Sequence, residues 1–337
     1  MADAVGQRLS SFRNTLAGLR REIGGTPLVE LWPGELPGHN RLFAKLEYTN
    51  PTGSHYDRIY DRLFEADAAL LAELQPQMLI EVSSGSAGAS FVWFCRALGF
   101  PCRVILPASV PDSFLRHIQQ FNPEADVVRA VSRKDYLSGA VDELRRELIT
   151  AKYEGRRIYC PDHSRRAESA WATEQIALES IEQLADQYGV RQMDHAVVAA
   201  GNGATIVGMA RVLKEAFSLR VSAFEPEQAP FHYNIKYNAH LPKVGQHRLF
   251  GTGGWGVGLP LVMDEEKYHY KEIVDEVVLV DEEWQIKAFG LRKRLEHSVG
   301  RTSLAGLALA LEMMDGVENQ NFLILFYDRG EKYDWLV

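Results

Sequence analysis

Short apolar runs alternate with amphipathic segments along most of the chain. QMLIEVS (77–83), CRVILP (102–107) and HAVVAA (195–200) have the length and composition of buried strands. Segments with apolar residues at helical spacing lie between such runs, and one begins near Asp57, which is placed to cap it. Strands that alternate with helices are typical of βαβ units and parallel sheets. The pattern therefore predicts an α/β fold.

Two series of these units follow each other, with a change near residue 151. The predicted strands are 41–48, 77–83, 102–107, 125–130, 157–160, 195–200, 220–225 and 322–328, and the predicted helices are 7–22, a segment from 57, 89–100, 112–121, 136–153, 167–188, 204–217 and 297–314. Two series indicate two domains. In such folds ligands bind at the carboxyl ends of the strands.

Composition and charge narrow the class of partner. The chain has 337 residues, 46% of them hydrophobic, and a net charge of −8. An acidic surface does not favour nucleic acid, and no apolar run is long enough to span a membrane. The first 25 residues contain no secretory signal pattern, and three cysteines are typical of reduced thiols. We therefore expect a cytoplasmic protein that binds small molecules.

The segment VVAAGNGATIVG (197–208) is the strongest local signal. A strand ends at Ala200, small residues form a tight loop, and a helix begins near Thr205. Backbone N–H groups at such a helix start bind phosphate or another anion, and glycine lets the anion approach. A plain βα turn is the alternative. A P-loop lysine is missing, and Ile206 occupies the third glycine of a dinucleotide fingerprint, although Glu225 lies near the position of its ribose-binding acid.

Two further segments carry hydroxyl groups before a helix. EVSSGSAGAS (81–90) offers serine hydroxyls that suit a carboxylate, or a simple N-cap with a glycine turn. In GRTSLAG (300–306), Thr302 or Ser303 is expected to cap the following helix. GTGGWGVGLP (251–260) is a glycine-rich loop without visible chemistry of its own.

In order and spacing, these segments resemble the fold-type-II pyridoxal-phosphate enzymes of the tryptophan synthase β superfamily, and most closely the cysteine synthase and cystathionine β-synthase branch. The matching segments are GGTPLVEL (24–31), KLEYTNPTGSHYDR (45–58), SSGSAG (83–88), GNGAT (201–205), EP (225–226), the glycine-rich 251–260, GRTS (300–303) and YDRGEKY (327–333). The resemblance covers the chain from about residue 20 to the end. It implies two three-layer α/β domains with mainly parallel sheets, the smaller formed by 46–150 and the larger by 1–45 plus 151–337, with the active site in the cleft between them.

The resemblance also implies site residues and assembly. The cofactor-binding residues would be Ser86, Gly201, Asn202, Gly203, Ala204, Thr205, Thr302 and Ser303, and the substrate carboxylate would be bound by Ser83, Ser84, Gly85 and Ala87. No metal is implied. The family resemblance implies an amino-acid substrate and a homodimer. Ser86 replaces the family's usual asparagine, and the segment 159–168 lacks its usual glutamine.

The main departure is Tyr56, which stands where the family has the lysine that carries the cofactor. A phenol forms no Schiff base. The cofactor could bind non-covalently, with Tyr56 as the catalytic group that moves protons. The site could instead have lost this chemistry, or the tyrosine could be an engineered replacement. A lysine from elsewhere, namely Lys45, Lys236 or Lys243, is the remaining alternative.

We therefore expect a diverged, cysteine synthase-like lyase or transferase. It would use non-covalently bound pyridoxal phosphate for β-replacement or β-elimination on a serine- or cysteine-like amino acid. The alternative is a catalytically inactive relative that binds a phosphorylated or carboxylated metabolite or serves as a partner subunit. Both alternatives use the retained loops at 83–88 and 201–205.

Overall fold

The computed structural model describes residues 2–131, 137–243, 247–249, 252 and 259–333. The strands are β1 Leu28–Leu31, β2 Arg41–Lys45, β3 Met78–Val82, β4 Cys102–Leu106, β5 Asp126–Arg129, β6 Ile158–Tyr159, β7 His195–Ala199, β8 Arg220–Pro226, β9 Glu276–Val280 and β10 Asn321–Leu325. The helices are α1 Ala2–Arg20, α2 Tyr56–Leu74, α3 Ser86–Leu98, α4 Asp112–Phe121, α5 Ser138–Tyr153, α6 Ala167–Tyr188, α7 Arg211–Phe217, α8 Phe231–Tyr237, α9 Pro260–Met263, α10 Glu265–Tyr268, α11 Tyr270–Ile273, α12 Glu282–Phe289 and α13 Arg301–Met313. Single turns of 3₁₀ helix lie at Pro37–His39, Glu47–Thr49 and Gly290–Arg294. In the described part of the chain, no helix is long and apolar enough to cross a membrane.

One compact unit comprises Met1–Gly24, Asn50–His163 and Asp334–Val337. It contains a four-stranded sheet in the order β5-β4-β3-β6, and every pair of neighbours is parallel. Its two central strands, β3 and β4, are largely buried and mostly apolar, as expected for a parallel sheet between helices, whereas the edge strands β5 and β6 are more exposed. We call this the first unit.

The second unit comprises Gly25–Thr49 and Ser164–Tyr333. Its six-stranded sheet has the order β1-β2-β10-β7-β8-β9. Only the pairing of β1 with β2 is antiparallel, so β2, β10, β7, β8 and β9 run in one direction. The carboxyl ends of β7, β8 and β10 therefore lie at one edge of this sheet. The predicted α/β class with mainly parallel sheets is confirmed.

Among the described residues, the compact units differ from the predicted domain boundaries at three places. The first unit includes 1–24 and 151–163, and it begins again at Asn50 rather than at 46. β6 belongs with it because β6 pairs with β3, and α1 belongs with it because α1 packs against α2. The assignment of 46–150 to a smaller domain, and the cleft that goes with it, stay predictions.

Two predicted helix starts differ in detail. Asp57 does not cap α2, because the N-cap residue is His55 and the Asp57 carboxylate instead accepts the Thr52 N–H at 2.7 Å. The helix predicted at 204–217 starts at Ala204 but continues as a π-helical turn at Ile206–Ala210 before α7. That turn lies where this helix packs closely against α6. β1 and β9 were not predicted.

Candidate functional site

The loop Gly201–Thr205 follows β7 and leads directly into a helix that starts at Ala204. Gly203 has φ +90°, and a Cβ at this position would lie 2.6 Å from Val262 Cγ2. The Asn202 side chain accepts the Ala204 N–H at 3.0 Å and so closes the turn. The first turn of a helix presents N–H groups that have no acceptor within the helix. This loop therefore has the geometry of an anion-binding helix start.

Helix α6 packs against this loop and the helix that follows it. Thr173 Oγ1 donates to the Ala204 carbonyl at 2.9 Å and accepts the Met209 N–H at 3.3 Å. A Cβ on Gly208 would collide with the Ala170 carbonyl oxygen, so the two helices are in backbone contact there. This close approach coincides with the π-helical turn, and such turns recur at functional sites.

A buried histidine holds the other side of the loop. His232 Nε2 lies 2.7 Å from the Gly201 carbonyl oxygen, and its Nδ1 lies 2.7 Å from the Tyr270 hydroxyl. Glu225 accepts the N–H of His232 at 3.1 Å and that of Tyr233 at 2.7 Å. Glu225 thus serves as an anchor for the start of α8, and it is fully buried. Its carboxylate is not presented to a ribose, which removes the main support for a dinucleotide site.

The segment GRTS lies at the start of α13. The N-cap residue is Gly300, so the expectation that Thr302 or Ser303 caps the helix is wrong by two or three positions. Ser303 Oγ instead accepts the Tyr327 N–H at 2.9 Å. The Tyr327 hydroxyl in turn accepts the N–H of Ala199, the last residue of β7, at 2.8 Å. The second unit thereby links Ser303, through Tyr327, to the strand end that precedes the loop Gly201–Thr205.

Tyr56 is the first residue of α2 and is half-buried. Its ring stacks obliquely on His55 with centroids 4.3 Å apart, and it meets the His163 ring at 5.5 Å and 86°. The loop before it is fixed by Asp57, whose carboxylate is bonded to Thr52 and Ser90. Because Ser90 belongs to α3, the starts of α2 and α3 lie together in the first unit.

Sequence reasoning missed a buried polar cluster next to Tyr56. The Tyr60 hydroxyl lies 3.1 Å from His163 Nδ1 and 3.3 Å from Glu81 Oε2, and the His163 N–H also donates to Glu81. Burial raises the pKa of Tyr60 well above its usual value, and the neighbouring Glu81 raises the pKa further. The only available signal was that Tyr60 lies one helical turn after Tyr56. The cluster fixes the His163 ring against Tyr56.

The serine loop before α3 is shaped largely by its own first serine. Ser83 Oγ accepts the Gly85 N–H at 3.0 Å and the Gly88 N–H at 2.7 Å. Gly85 has φ +151°, and a Cβ there would collide with the Phe114 ring. Ser84 and Ser86 are half-buried, whereas Gly85 and Ala87 are buried. The more exposed hydroxyl groups for a ligand are thus those of Ser84 and Ser86.

Two of the three alternative lysines hold structural positions. Lys45 is fully buried, and its ammonium group donates to Thr26 at 2.6 Å and pairs with Glu179 at 2.8 Å. Lys236 Nζ donates to the Lys271 carbonyl within α11 at 2.7 Å and to the Val274 carbonyl, directly after α11, at 2.6 Å. Lys243 lies beside His247, where burial and then this neighbouring charge lower the pKa of His247 to about 3.

Of the glycine-rich segment 251–260, the structure describes only Thr252, Leu259 and Pro260, so most of this predicted loop lies outside the described residues. Among the described residues, no group of His, Cys, Asp and Glu side chains is arranged to hold a metal ion.

Comparison with known proteins identifies the family to which this architecture belongs. Residues 19–328 match the model of the family described as "Pyridoxal-phosphate dependent enzyme". The chain belongs to this pyridoxal-phosphate-dependent enzyme family. The match covers most of the chain and includes both units. Pyridoxal phosphate is therefore the cofactor that membership implies, as the sequence resemblance predicted.

Its relatives within the family are cysteine synthases and similar enzymes. The chain is 24% identical over 319 residues to a probable cysteine synthase of Bacillus subtilis, covering 92% of this chain and 94% of the relative. It is 26% identical to a cysteine synthase of Aquifex aeolicus, covering 98% and 94%. An O-acetylserine-dependent cystathionine β-synthase of Helicobacter pylori shares the fold with a TM-score of 0.76 at 20% identity, over 94% of this chain and 96% of that one. The fold-type-II, tryptophan synthase β-like architecture is confirmed.

The described residues of the second unit fit the phosphate end of this cofactor. A side chain at Gly203 would fill the space beside Val262, so the loop is built to stay small. Asn202 accepts the Ala204 N–H, and the positive dipole end of the helix that starts there would stabilise an anion at the N–H groups that follow. The cofactor-binding and substrate-binding roles of individual residues remain predictions.

Proposed function

We propose that the chain is a diverged cysteine synthase-like enzyme that binds pyridoxal phosphate without a covalent bond to the protein. The reaction would be β-replacement or β-elimination on a serine- or cysteine-like amino acid, which makes the enzyme a lyase or transferase. One observation carries the proposal: the anion-binding loop at 201–205 keeps its full supporting geometry, whereas the first turn of α2 offers a phenol.

The relatives support the substrate class. The names of the relatives describe cysteine synthases and an O-acetylserine-dependent cystathionine β-synthase. Ser84 and Ser86 lie at the start of α3, where hydroxyl groups and a helix dipole bind a carboxylate. We extend the same proposal to a homodimer in the cytoplasm.

The division of roles follows from the chemistry of each residue. When bound, the cofactor supplies an electron sink for the substrate α-carbon. The loop 201–205 would hold its phosphate, and Ser86, Thr302 and Ser303 would contact its ring. Tyr56 would donate a proton, since a phenol with a reference pKa of about 10 is a better donor than base near neutral pH.

Two of the three alternative lysines, Lys45 and Lys236, cannot readily replace Tyr56. The Lys45 ammonium group donates to the Thr26 carbonyl and pairs with Glu179, and the Lys236 ammonium group donates to two backbone carbonyls. Moving the Lys45 amine would break its ion pair with Glu179, whereas the Thr26 carbonyl would keep its bond from Gln183. Moving the Lys236 amine would remove a donor from the carbonyls of Lys271 and Val274, and a lost buried hydrogen bond costs about 1–3 kcal/mol. These contacts support non-covalent binding.

Absorbance spectra of the purified protein test the proposal. Pyridoxal phosphate should bind with its aldehyde spectrum, and addition of L-serine, O-acetylserine or L-cysteine should then shift the visible band and release product. The control is Gly203→Asp, whose carboxylate would clash with Val262 and repel a phosphate, so it should abolish both changes.

Two outcomes would contradict the proposal in different ways. Binding of the cofactor without any response to amino acids would favour the inactive relative. Absence of cofactor binding, with inorganic phosphate or a carboxylate still bound at the loop, would favour a site for another metabolite. Binding of another metabolite is the second candidate function because Tyr56 stands where the family resemblance implies the lysine for covalent attachment.

A further inference from the structure

His232 is fully buried, and both of its ring nitrogens are engaged. Because the Gly201 carbonyl oxygen can only accept, Nε2 must carry the ring hydrogen. Nδ1 is then an acceptor and takes the hydrogen of the Tyr270 hydroxyl. The contacts therefore fix one tautomer and one orientation of the ring.

The bond to Gly201 also orients the next N–H group of the loop. The Gly201 carbonyl and the Asn202 N–H belong to one planar trans peptide, so the N–H points away from His232. A hydrogen bond to the carbonyl polarises this peptide and strengthens its N–H as a donor. One side chain thus sets both the direction and the strength of a donor in the anion-binding loop.

The histidine is itself held by the sheet. Glu225 lies in β8 and accepts the N–H groups of His232 and Tyr233, and β8 is the neighbour of β7, which carries the loop. Burial lowers the pKa of His232 to about 4. The ring therefore stays neutral near pH 7, as this arrangement of one donor and one acceptor requires.

We propose that His232 is a positioning residue for the phosphate group of the cofactor, acting through the Gly201–Asn202 peptide. This inference rests on the proposed cofactor binding at the loop 201–205. A positioning role requires only a hydrogen-bond donor at the place of Nε2, whereas a purely structural role would require the whole imidazole ring. A side chain that restores this donor should restore affinity.

The first test measures the affinity of the intact protein for pyridoxal phosphate by fluorescence titration. His232→Leu should weaken binding about tenfold, since it removes the donor to the half-buried Gly201 carbonyl. His232→Gln should stay within about threefold of the wild type, because its amide nitrogen can occupy the Nε2 position. The matched control, His195→Leu, changes a histidine at the opposite end of β7 and should leave affinity unchanged. Circular dichroism and thermal unfolding confirm that each variant is folded.

The second test needs no cofactor. Amide hydrogen exchange at 201–206 should become several-fold faster in His232→Leu but not in His232→Gln or His195→Leu. Unchanged affinity and exchange in His232→Leu, or equal loss in the leucine and glutamine variants, would overturn the positioning role while leaving the proposed function intact. Failure of the wild-type protein to bind pyridoxal phosphate would overturn both.

Discussion

Replacing Gly203 with alanine perturbs the anion-binding loop by one methyl group. Its backbone has φ +90°, where an L-residue costs about 1–2 kcal/mol. The new Cβ would lie 2.6 Å from Val262 Cγ2, which is buried, and such overpacking costs about 1–3 kcal/mol. We therefore expect Gly203→Ala to lower the free energy of unfolding by about 3 kcal/mol, and the displaced loop to bind pyridoxal phosphate at least about tenfold more weakly.

Urea unfolding followed by circular dichroism measures the first effect, and fluorescence titration measures the second. Gly189→Ala is the matched control, because Gly189 has φ +64° in the same unit and no atom within 4 Å of its Cβ position. It should cost only the backbone part, about 1 kcal/mol. Combining Gly203→Ala with Val262→Ala should show a favourable coupling of about 1–2 kcal/mol, since the collision is removed. The reasoning is refuted if Gly203→Ala costs no more than Gly189→Ala and cofactor affinity is unchanged.

Three further predictions concern the supports of the two loops. Gly208→Ala should destabilise the protein by about 3 kcal/mol or more, seen as a lower urea midpoint, because its Cβ would collide with the Ala170 carbonyl. His232 alone should lower the free energy of unfolding by about 3 kcal/mol as the pH falls from about 6.5 to 4. Its pKa is lowered to about 4 in the folded protein, so over this pH range the unfolded chain binds a proton that the folded chain does not. In urea titrations of His232→Gln, the free energy of unfolding should depend less on pH over this range. An unchanged dependence on pH would contradict the role given to His232. Ser83→Ala should lower the free energy of unfolding by about 1–2 kcal/mol, since the N–H groups of Gly85 and Gly88 lose their acceptor. Ser86 is half-buried, so Ser86→Ala should have a smaller effect. Equal effects of the two substitutions would contradict the capping role of Ser83.

The elements that position the loops were predictable because their signals are local. Strand β7 ends within one residue of the predicted limit, and the loop 201–205 follows it as the small residues indicated. The parallel order of the central strands follows from the alternation of strands and helices. The family resemblance added the cofactor, which composition and periodicity alone do not specify.

What could not be predicted depends on contacts between distant segments. Asp57 looked like a helix cap, but Ser90 of α3 and Thr52 draw its carboxylate inward. Similarly, the π-helical turn arises because Gly208 meets α6, some 38 residues earlier at Ala170. No spacing rule indicates such a meeting.

The support of the loop by His232 was hidden for the same reason. His232 lies 31 residues after Gly201, and a lone histidine in an amphipathic segment carries no distinctive pattern. Tyr60 and His163 are separated by 103 residues, and only the fold shows that they meet beside Tyr56. Thus the sequence predicts the loops that face a ligand better than the residues that hold them.

Reduction with borohydride, followed by mass spectrometry of the intact protein, tests the central claim most directly. The wild-type protein, saturated with pyridoxal phosphate, should gain no cofactor mass, because Tyr56 has no nitrogen to attach it. Tyr56→Lys should gain the mass of one reduced cofactor and absorb visible light before reduction. Tyr56→Phe should keep cofactor binding and gain no mass. Cofactor fixed to a lysine of the wild-type protein would contradict the claim, and peptide mapping would identify that lysine.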